Sequence, residues 1–292
     1  MAEEDPVVIA CALSGALAGR ERCPAIPYTP QEHGAEARRA VEEGATMIHV
    51  HARTPDGAPS SAVEDFRAIA RAIRAEAGDD VILNFSTGTI GVPLSTRLAY
   101  LRELRPDVAA LNMGSMNYAK YSSSRKAFVF DMVFQNPFGE IVELLGELNA
   151  LGIRPECECF DLGHVGALDP LADMGLLDPP AHVNCVMGVV GGIPPTARNL
   201  AAMAGNLPAG AHWGAVGVGR RQWLVLAAAL TLGGSIRAGL EDNFHLPDGT
   251  MARSNGDLVA HARILTEAVG RRPATAGEAR ELLGLPAPAR AA

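Results

Sequence analysis

Short apolar runs alternate along this 292-residue chain with longer stretches in which alanine, leucine, glutamate and arginine recur at helical spacing. Eight runs stand out: "VVIACALSG", "TMIHVHART", "VILNFSTG", "VAALNMGSMN", "RPECECFD", "AHVNCVMGVV", "AHWGAVGVG" and "SIRAGLEDN". Helices are predicted between them, at 30–43, 62–77, 96–104, 140–151, 196–204 and 222–232. Strand-helix repetition gives a parallel sheet, and eight units close it, so the expected fold class is α/β, a (β/α)8 TIM barrel. We expect one domain over residues 1–292, frayed at about 1–5 and in the Pro/Ala-rich tail, about 286–292. An open doubly wound sheet is the alternative. Its nucleotide-binding versions lack support, because no Gly-x-Gly-x-x-Gly follows the first run and no Walker A loop occurs.

Composition narrows the function classes. The chain is 48% hydrophobic but only 5% aromatic, and no apolar stretch approaches the roughly 18 residues of a membrane span. The acidic start "MAEEDP" is unlike a signal peptide, so a soluble cytoplasmic protein without a membrane partner is expected. Net charge of -8 argues against a nucleic-acid partner. The cysteines, Cys11, Cys23, Cys157, Cys159 and Cys185, show neither a disulfide framework nor zinc-site spacing and read as reduced thiols.

The candidate chemistry begins in "ATMIHVHART". Residues two apart on a strand share a face, so His49 and His51 lie together with Arg53 while Ile48, Val50 and Ala52 face the other way. Two imidazoles so placed can converge on one metal ion. A hydrogen-bonded core histidine beside a surface one is the plainer alternative. "SIRAGLEDN" offers the remaining ligand: alternation puts Arg237, Gly239 and Glu241 on one face, with Asp242 next to them. A metal-binding Glu241 beside a free Asp242 would supply a Lewis acid and a base for proton removal next to a carbonyl. An internal Arg237–Glu241 ion pair is the structural alternative. His182 and His212 open their runs and should lie at the non-catalytic end. His33 and His261 fall in helical segments, and His164 lies at a strand exit. Glu156 and Glu158 read as acceptors for the imidazoles or as partners of Arg237. The only lysines, Lys120 and Lys126, sit in "NYAKYSSSRK", read as a polar loop, which argues against imine chemistry within the barrel.

These segments, together with "LNFSTG", "LNMGSMN", "PECECFDLGH", "GVGRRQ", "ARSNGDLV" and "TAGEARELLGL", resemble the β-keto acid cleavage enzymes over nearly the whole chain. The resemblance implies a zinc-dependent barrel, usually a homotetramer, with one zinc per chain and acetyl-CoA as co-substrate. It implies conversion of a β-keto acid and acetyl-CoA into acetoacetate and a new acyl-CoA, through a zinc-held enolate and a retro-Claisen step. It makes His49, His51 and Glu241 the zinc ligands, Asp242 the base, Arg237 the cation that steadies it, and Ser86 a substrate-orienting hydroxyl with Thr87 and Ser115 beside it.

One departure bears on substrate. Relatives acting on an amino substrate carry Gly-Ala-Glu in the first-strand loop, where "SGALAGRE" has Leu17, so an uncharged substrate side chain is expected unless an acid such as Glu21 substitutes. Arg220 or Arg221 in "GVGRRQ", and the glycines of "GGIPPTARN", are candidates for contacting CoA phosphates. A metal-dependent hydrolase of the amidohydrolase kind and a non-catalytic zinc or small-ligand binding protein are the rival functions.

Overall fold

Each of the eight apolar runs forms one strand of a single closed barrel in the computed structural model, which describes residues 5–287. The strands are β1 (Ile9–Ala12), β2 (Met47–Val50), β3 (Ile82–Ser86), β4 (Val108–Asn112), β5 (Arg154–Cys159), β6 (His182–Met187), β7 (His212–Gly217) and β8 (Ser235–Ala238). All eight ladders are parallel, and β8 closes onto β1 with Arg237 opposite Ala10. Of the predicted frayed ends, residues 1–4 and 288–292 lie outside the described residues.

The alternation within each strand separates two interiors. Outward residues such as Cys11, Ile48, Phe85, Leu111, Cys157, Cys159 and Cys185 pack against the surrounding helices in the main core. The cysteines are therefore buried packing residues, and all five are free thiols. Inside the barrel, Ala10, Met47, Ile82 and Val108 form an apolar floor, plugged from below by Ala279 and Leu283 of the C-terminal segment. Above the floor comes a layer containing Asn84, Glu156 and Asn184, and then the mouth with His49, Glu158 and Arg237, all buried. Burial of so many polar groups is tolerable only because nearly all are partnered.

The predicted helices are present with their ends shifted by at most two residues. Thr29 caps the first, Pro30–Glu42, in a reciprocal capping box with Glu32. Four helices were not marked in advance: Leu162–Gly166, Leu168–Asp173, Asn255–Ala268 and Ala276–Leu282. The supposed polar loop is instead an antiparallel hairpin, Met116–Ser122 with Ala127–Phe134, whose turn is the Ser/Arg/Lys cluster. No helix among the described residues is long and apolar enough to cross a membrane.

The end of β8 differs from simple alternation. The strand stops at Ala238, and Gly239 takes φ 146°, where a Cβ would collide with the Ala12 carbonyl oxygen. The chain turns there, so Glu241 and Asp242 lie on a turn and both come back to Arg237. Gly239→Ala should therefore lower the unfolding free energy by more than about 2 kcal/mol, as read by urea denaturation. A variant as stable as the parent would show that the turn tolerates a side chain.

Candidate metal centre and active site

His49 ends the inward row of β2, and His51 lies just past the strand. Glu241 reaches them from the turn after β8 across β1, whose inward residues Ala10 and Ala12 are small enough to leave room. The loop after β1 closes over the carboxylate, and a Cβ at Gly15 would stand 2.7 Å from Glu241 Cγ. Arg53 holds that loop down by donating to the carbonyls of Ser14, Gly15 and Ala18. It does not join the histidines, as strand alternation suggested, because its side chain is occupied by this backbone.

His49 Nε2 is 3.7 Å from Glu241 Oε2, and His51 Nε2 is 3.5 Å from Glu241 Oε1. One ligand atom from each of the three lies within 4.8 Å of the others. Both ring nitrogens of His49 and Oε2 of Glu241 are buried and have no hydrogen-bond partner among the described residues. Orphaned buried polar atoms are uncommon, and two imidazoles with one carboxylate are a donor set suited to a divalent cation with a coordination position left over for substrate. Burial pushes the His49 ring down to about 3, against the pull of Glu241, so the ring is neutral and one of its nitrogens keeps a lone pair. Burial alone would raise the Glu241 carboxyl, but His51, His49 and Arg237 hold it below the usual carboxylate range.

Arg237 sits beside this set. Its Nε and Nη2 donate to the two oxygens of Asp242 at 3.0 and 2.8 Å, Nη1 to Glu158 at 2.8 Å, and Nη2 also to Glu241 at 3.1 Å. The expected Arg237–Glu241 pair exists, but Asp242 is no free carboxylate: it is gripped by a two-pronged bond. Three carboxylates against one guanidinium leave an excess of negative charge that a divalent cation would neutralise. Burial raises Glu158 to about 7 and Asp242 to about 6, with Arg237 opposing both. Glu156 neither meets Arg237 by hydrogen bond nor receives an imidazole N–H of the pair; it bonds Asn84 and Asn184 a layer lower.

The other sequence-predicted residues are placed as follows. Ser86 is buried at the end of β3, its hydroxyl accepting from Gly88 N–H. The Thr87 hydroxyl donates to the Ala110 carbonyl at 2.6 Å and is thereby occupied. Ser115 is exposed and accepts from Asn136 N–H. Leu17 is 57% exposed on the loop above Glu241. Arg220 is exposed, with Nη2 3.1 Å from His245 Nε2. His164 is buried, its Nδ1 accepting from Phe160 N–H. His182 and His212 do lie at the amino-terminal ends of their strands, ring against ring at 5.6 Å.

Sequence reasoning missed Tyr118. The hairpin carries this ring over the mouth, packed with Phe134 against Met116, Phe160, Val186, Val189 and Val216. Burial, then Glu241, Asp242 and Glu158, push its hydroxyl up to about 12. The alternating apolar pattern of "AFVFDMVF" after a Ser/Arg/Lys turn was the available signal.

The profile of the beta-keto acid cleavage enzyme family matches residues 6–285. A 3-keto-5-aminohexanoate cleavage enzyme from Acetoanaerobium sticklandii is 34% identical over 281 residues, covering 96% of this chain and 99% of that one. A 3,5-dioxohexanoate:acetyl-CoA acetone transferase from Paraburkholderia graminis is 37% identical, over 98% and 97% of the two chains. A 3-oxoadipate:acetyl-CoA acetyltransferase from Cupriavidus necator is 35% identical over 96% and 95%. Among solved structures, apo ObcA superposes with a TM-score of 0.75 at 21% identity, covering 90% of this chain and 66% of that one, which bears on fold.

The charge imbalance around Arg237 is testable. Arg237→Met strands three buried carboxylates, so the metal-free variant should lose about 3–5 kcal/mol of unfolding free energy above pH 7. Acids whose folded-state pKa lies above the unfolded value regain stability as pH falls through it, so the deficit should shrink below about pH 6. Urea denaturation at both pH values measures this. A deficit independent of pH would mean that packing, not charge, sets the cost.

Proposed function

Since the chain belongs to the beta-keto acid cleavage enzyme family, we propose that it transfers acyl groups between a β-keto acid and acetyl-CoA, giving acetoacetate and a new acyl-CoA. The observation that carries this reading is the His49–His51–Glu241 set, with both His49 nitrogens and Glu241 Oε2 unpartnered among the described residues, beside the Arg237–Asp242 pair at the carboxyl mouth of the barrel. The three ligands would hold one zinc per chain, a Lewis acid for the keto and carboxylate oxygens of the substrate.

Asp242 takes the proton from the carbon between ketone and carboxylate. Its carboxyl, raised to about 6, is close to the range in which a base is effective near neutrality. Arg237 fixes the orientation of that carboxylate and balances the negative charge that grows on the substrate as the proton leaves. Ser86, at the end of β3, orients the substrate by its hydroxyl, with Thr87 and Ser115 as outer neighbours. The carbanion then attacks the acetyl thioester carbonyl and CoA departs as thiolate. That thiolate adds to the substrate's original ketone, the carbon–carbon bond breaks to give the new thioester and the acetoacetate carbanion, and the carbanion takes back the proton held by Asp242. One thioester is consumed and one formed, so no further energy source is required. Arg220 is the candidate contact for a CoA phosphate.

The substrate's side chain is read as uncharged. Leu17 stands where an ammonium would need an acid, and the wall opposite, from Val186 and Val216 to Phe160, is apolar. The printed names of the relatives span amino, dioxo and dicarboxylic substrates, so side-chain recognition varies on this scaffold. The homotetramer that the family resemblance implies would have a surface to cover in the exposed Tyr121, Phe128 and Val133 of the hairpin, and the free buried cysteines suit the cytoplasm.

Acetoacetate formation from a panel of β-keto acids with acetyl-CoA tests the whole reading, whereas turnover independent of acetyl-CoA would favour a metal hydrolase. Within it, two variants should separate binding from chemistry. His51→Ala should lose most of its zinc by metal analysis, whereas Asp242→Asn should keep the metal and lose about 10²–10⁴-fold in kcat. Full zinc in the first, or near-normal turnover in the second, would reassign the residue concerned. Leu17→Glu should shift the ratio of kcat/KM toward 3-keto-5-aminohexanoate and away from a neutral straight-chain β-keto acid by at least about tenfold. An unchanged ratio would remove Leu17 from specificity.

A further inference from the structure

The segment "ARSNGDLV" has no part in the chemistry proposed above, yet it folds against the strand ends that carry the metal-binding candidates. Ser254 caps the helix Asn255–Ala268 by accepting from Asp257 N–H. Gly256 lets that helix lie close on the helix Pro30–Glu42, because a Cβ there would stand 3.0 Å from Arg39 Cβ and 3.1 Å from the Arg39 carbonyl oxygen. Asn255, between them, is fully buried beside the outward-facing Cys11 of β1.

Both polar atoms of the Asn255 side chain are engaged. Glu36 Oε2 accepts from Asn255 N–H at 2.6 Å and from Nδ2 at 3.0 Å, while the other carboxylate oxygen accepts from Arg39. An acceptor in that place fixes the amide with its nitrogen toward Glu36 and its oxygen turned away. Nδ2 also donates to the Leu13 carbonyl at 3.2 Å, and Oδ1 accepts from Leu240 N–H at 2.9 Å. Both ends of this bridge lead to metal-binding candidates. Leu240 immediately precedes Glu241, whose own N–H donates to the Ala12 carbonyl at 3.1 Å, and Leu13 donates its N–H to the His49 carbonyl at 3.3 Å. One amide thus joins, through backbone groups, the turn that carries Glu241 to the strand end that carries His49.

We propose that Asn255 is a positioning residue for Glu241: its amide, oriented by Glu36, holds the turn after β8 against the end of β1 and so sets the reach of that carboxylate toward His49 and His51. The consequence for metal rests on those three residues as ligands, whereas the hold on the turn can be read in metal-free protein. Asn255→Ala deprives the buried Leu240 N–H and Leu13 carbonyl of these partners, and a buried polar group left unpaired costs more than the bond contributed when made.

In metal-free wild-type protein the Leu240 amide should exchange as slowly as the β6–β7 ladder, as read by residue-resolved hydrogen exchange. Asn255→Ala should speed Leu240 by at least about tenfold relative to that ladder and weaken zinc, by chelator competition, about tenfold. Ser254→Ala removes the cap of the same helix but keeps Asn255, so it should lower stability and leave both readings unchanged. Rapid Leu240 exchange in the wild type would overturn the proposal. So would unchanged Leu240 exchange or zinc affinity in Asn255→Ala, or an equal loss of both in Ser254→Ala, which would assign the effect to the helix. Wild-type protein that took up no zinc would refute the ligand reading, and Leu240 exchange would then decide alone for or against Asn255. Should Asn255→Ala fail to fold, Asn255→Asp combined with Glu36→Gln keeps an acceptor for Leu240 but no donor for Leu13. That variant should bind zinc more weakly with Leu240 still protected, and an unchanged affinity would overturn the bridge.

Discussion

The buried guanidinium of Arg237 is the interaction on which the mouth of this barrel depends. Three carboxylates, from β5 and from the turn after β8, point at one cation inside a low-dielectric interior. Removing one partner from such a set leaves charge that nothing nearby can screen, so the positions of Glu158, Glu241 and Asp242 are mutually enforced. The same cluster is over-supplied with negative charge. That imbalance lies beside the His49–His51–Glu241 set, where a divalent cation would offset it.

Room for the cluster comes from residues that contribute almost nothing themselves. Ala10 and Ala12 leave the β1 wall open, so that Glu241 can cross to the histidines. Gly15 lets the loop after β1 pass against that carboxylate, and Gly239 lets the chain reverse against the Ala12 carbonyl. A larger side chain at either glycine would meet atoms that cannot move without moving the ligands. The site is thus specified as much by missing volume as by the acids and imidazoles that fill it.

The barrel interior is also graded from bottom to top. An apolar floor lies at the bottom, an amide-and-carboxylate layer above it, and the charged mouth at the top. Over one side of the mouth the hairpin lays Tyr118 and Phe134 on a valine-rich wall. The metal-binding candidates and the valine-rich wall are therefore carried by different elements.

The eight strands were legible in the sequence because each apolar run is short and bounded by turn residues, and period-two alternation put Glu156 and Glu158 together on one face of their run. The His-x-His pair and the Arg237, Glu241, Asp242 group were legible for the same reason: charges on an otherwise apolar strand have few structural uses. What the sequence could not supply was anything set by contact across the barrel. That position 239 has no room for a side chain is decided by the Ala12 carbonyl, at the other end of the chain. The occupation of Arg53 by the loop at 14–18 and the amide bonds from Asn84 and Asn184 to Glu156 follow from strands brought together only in the closed sheet. Local periodicity fixes which face a side chain takes, whereas only closure of the barrel fixes which other side chain it meets there.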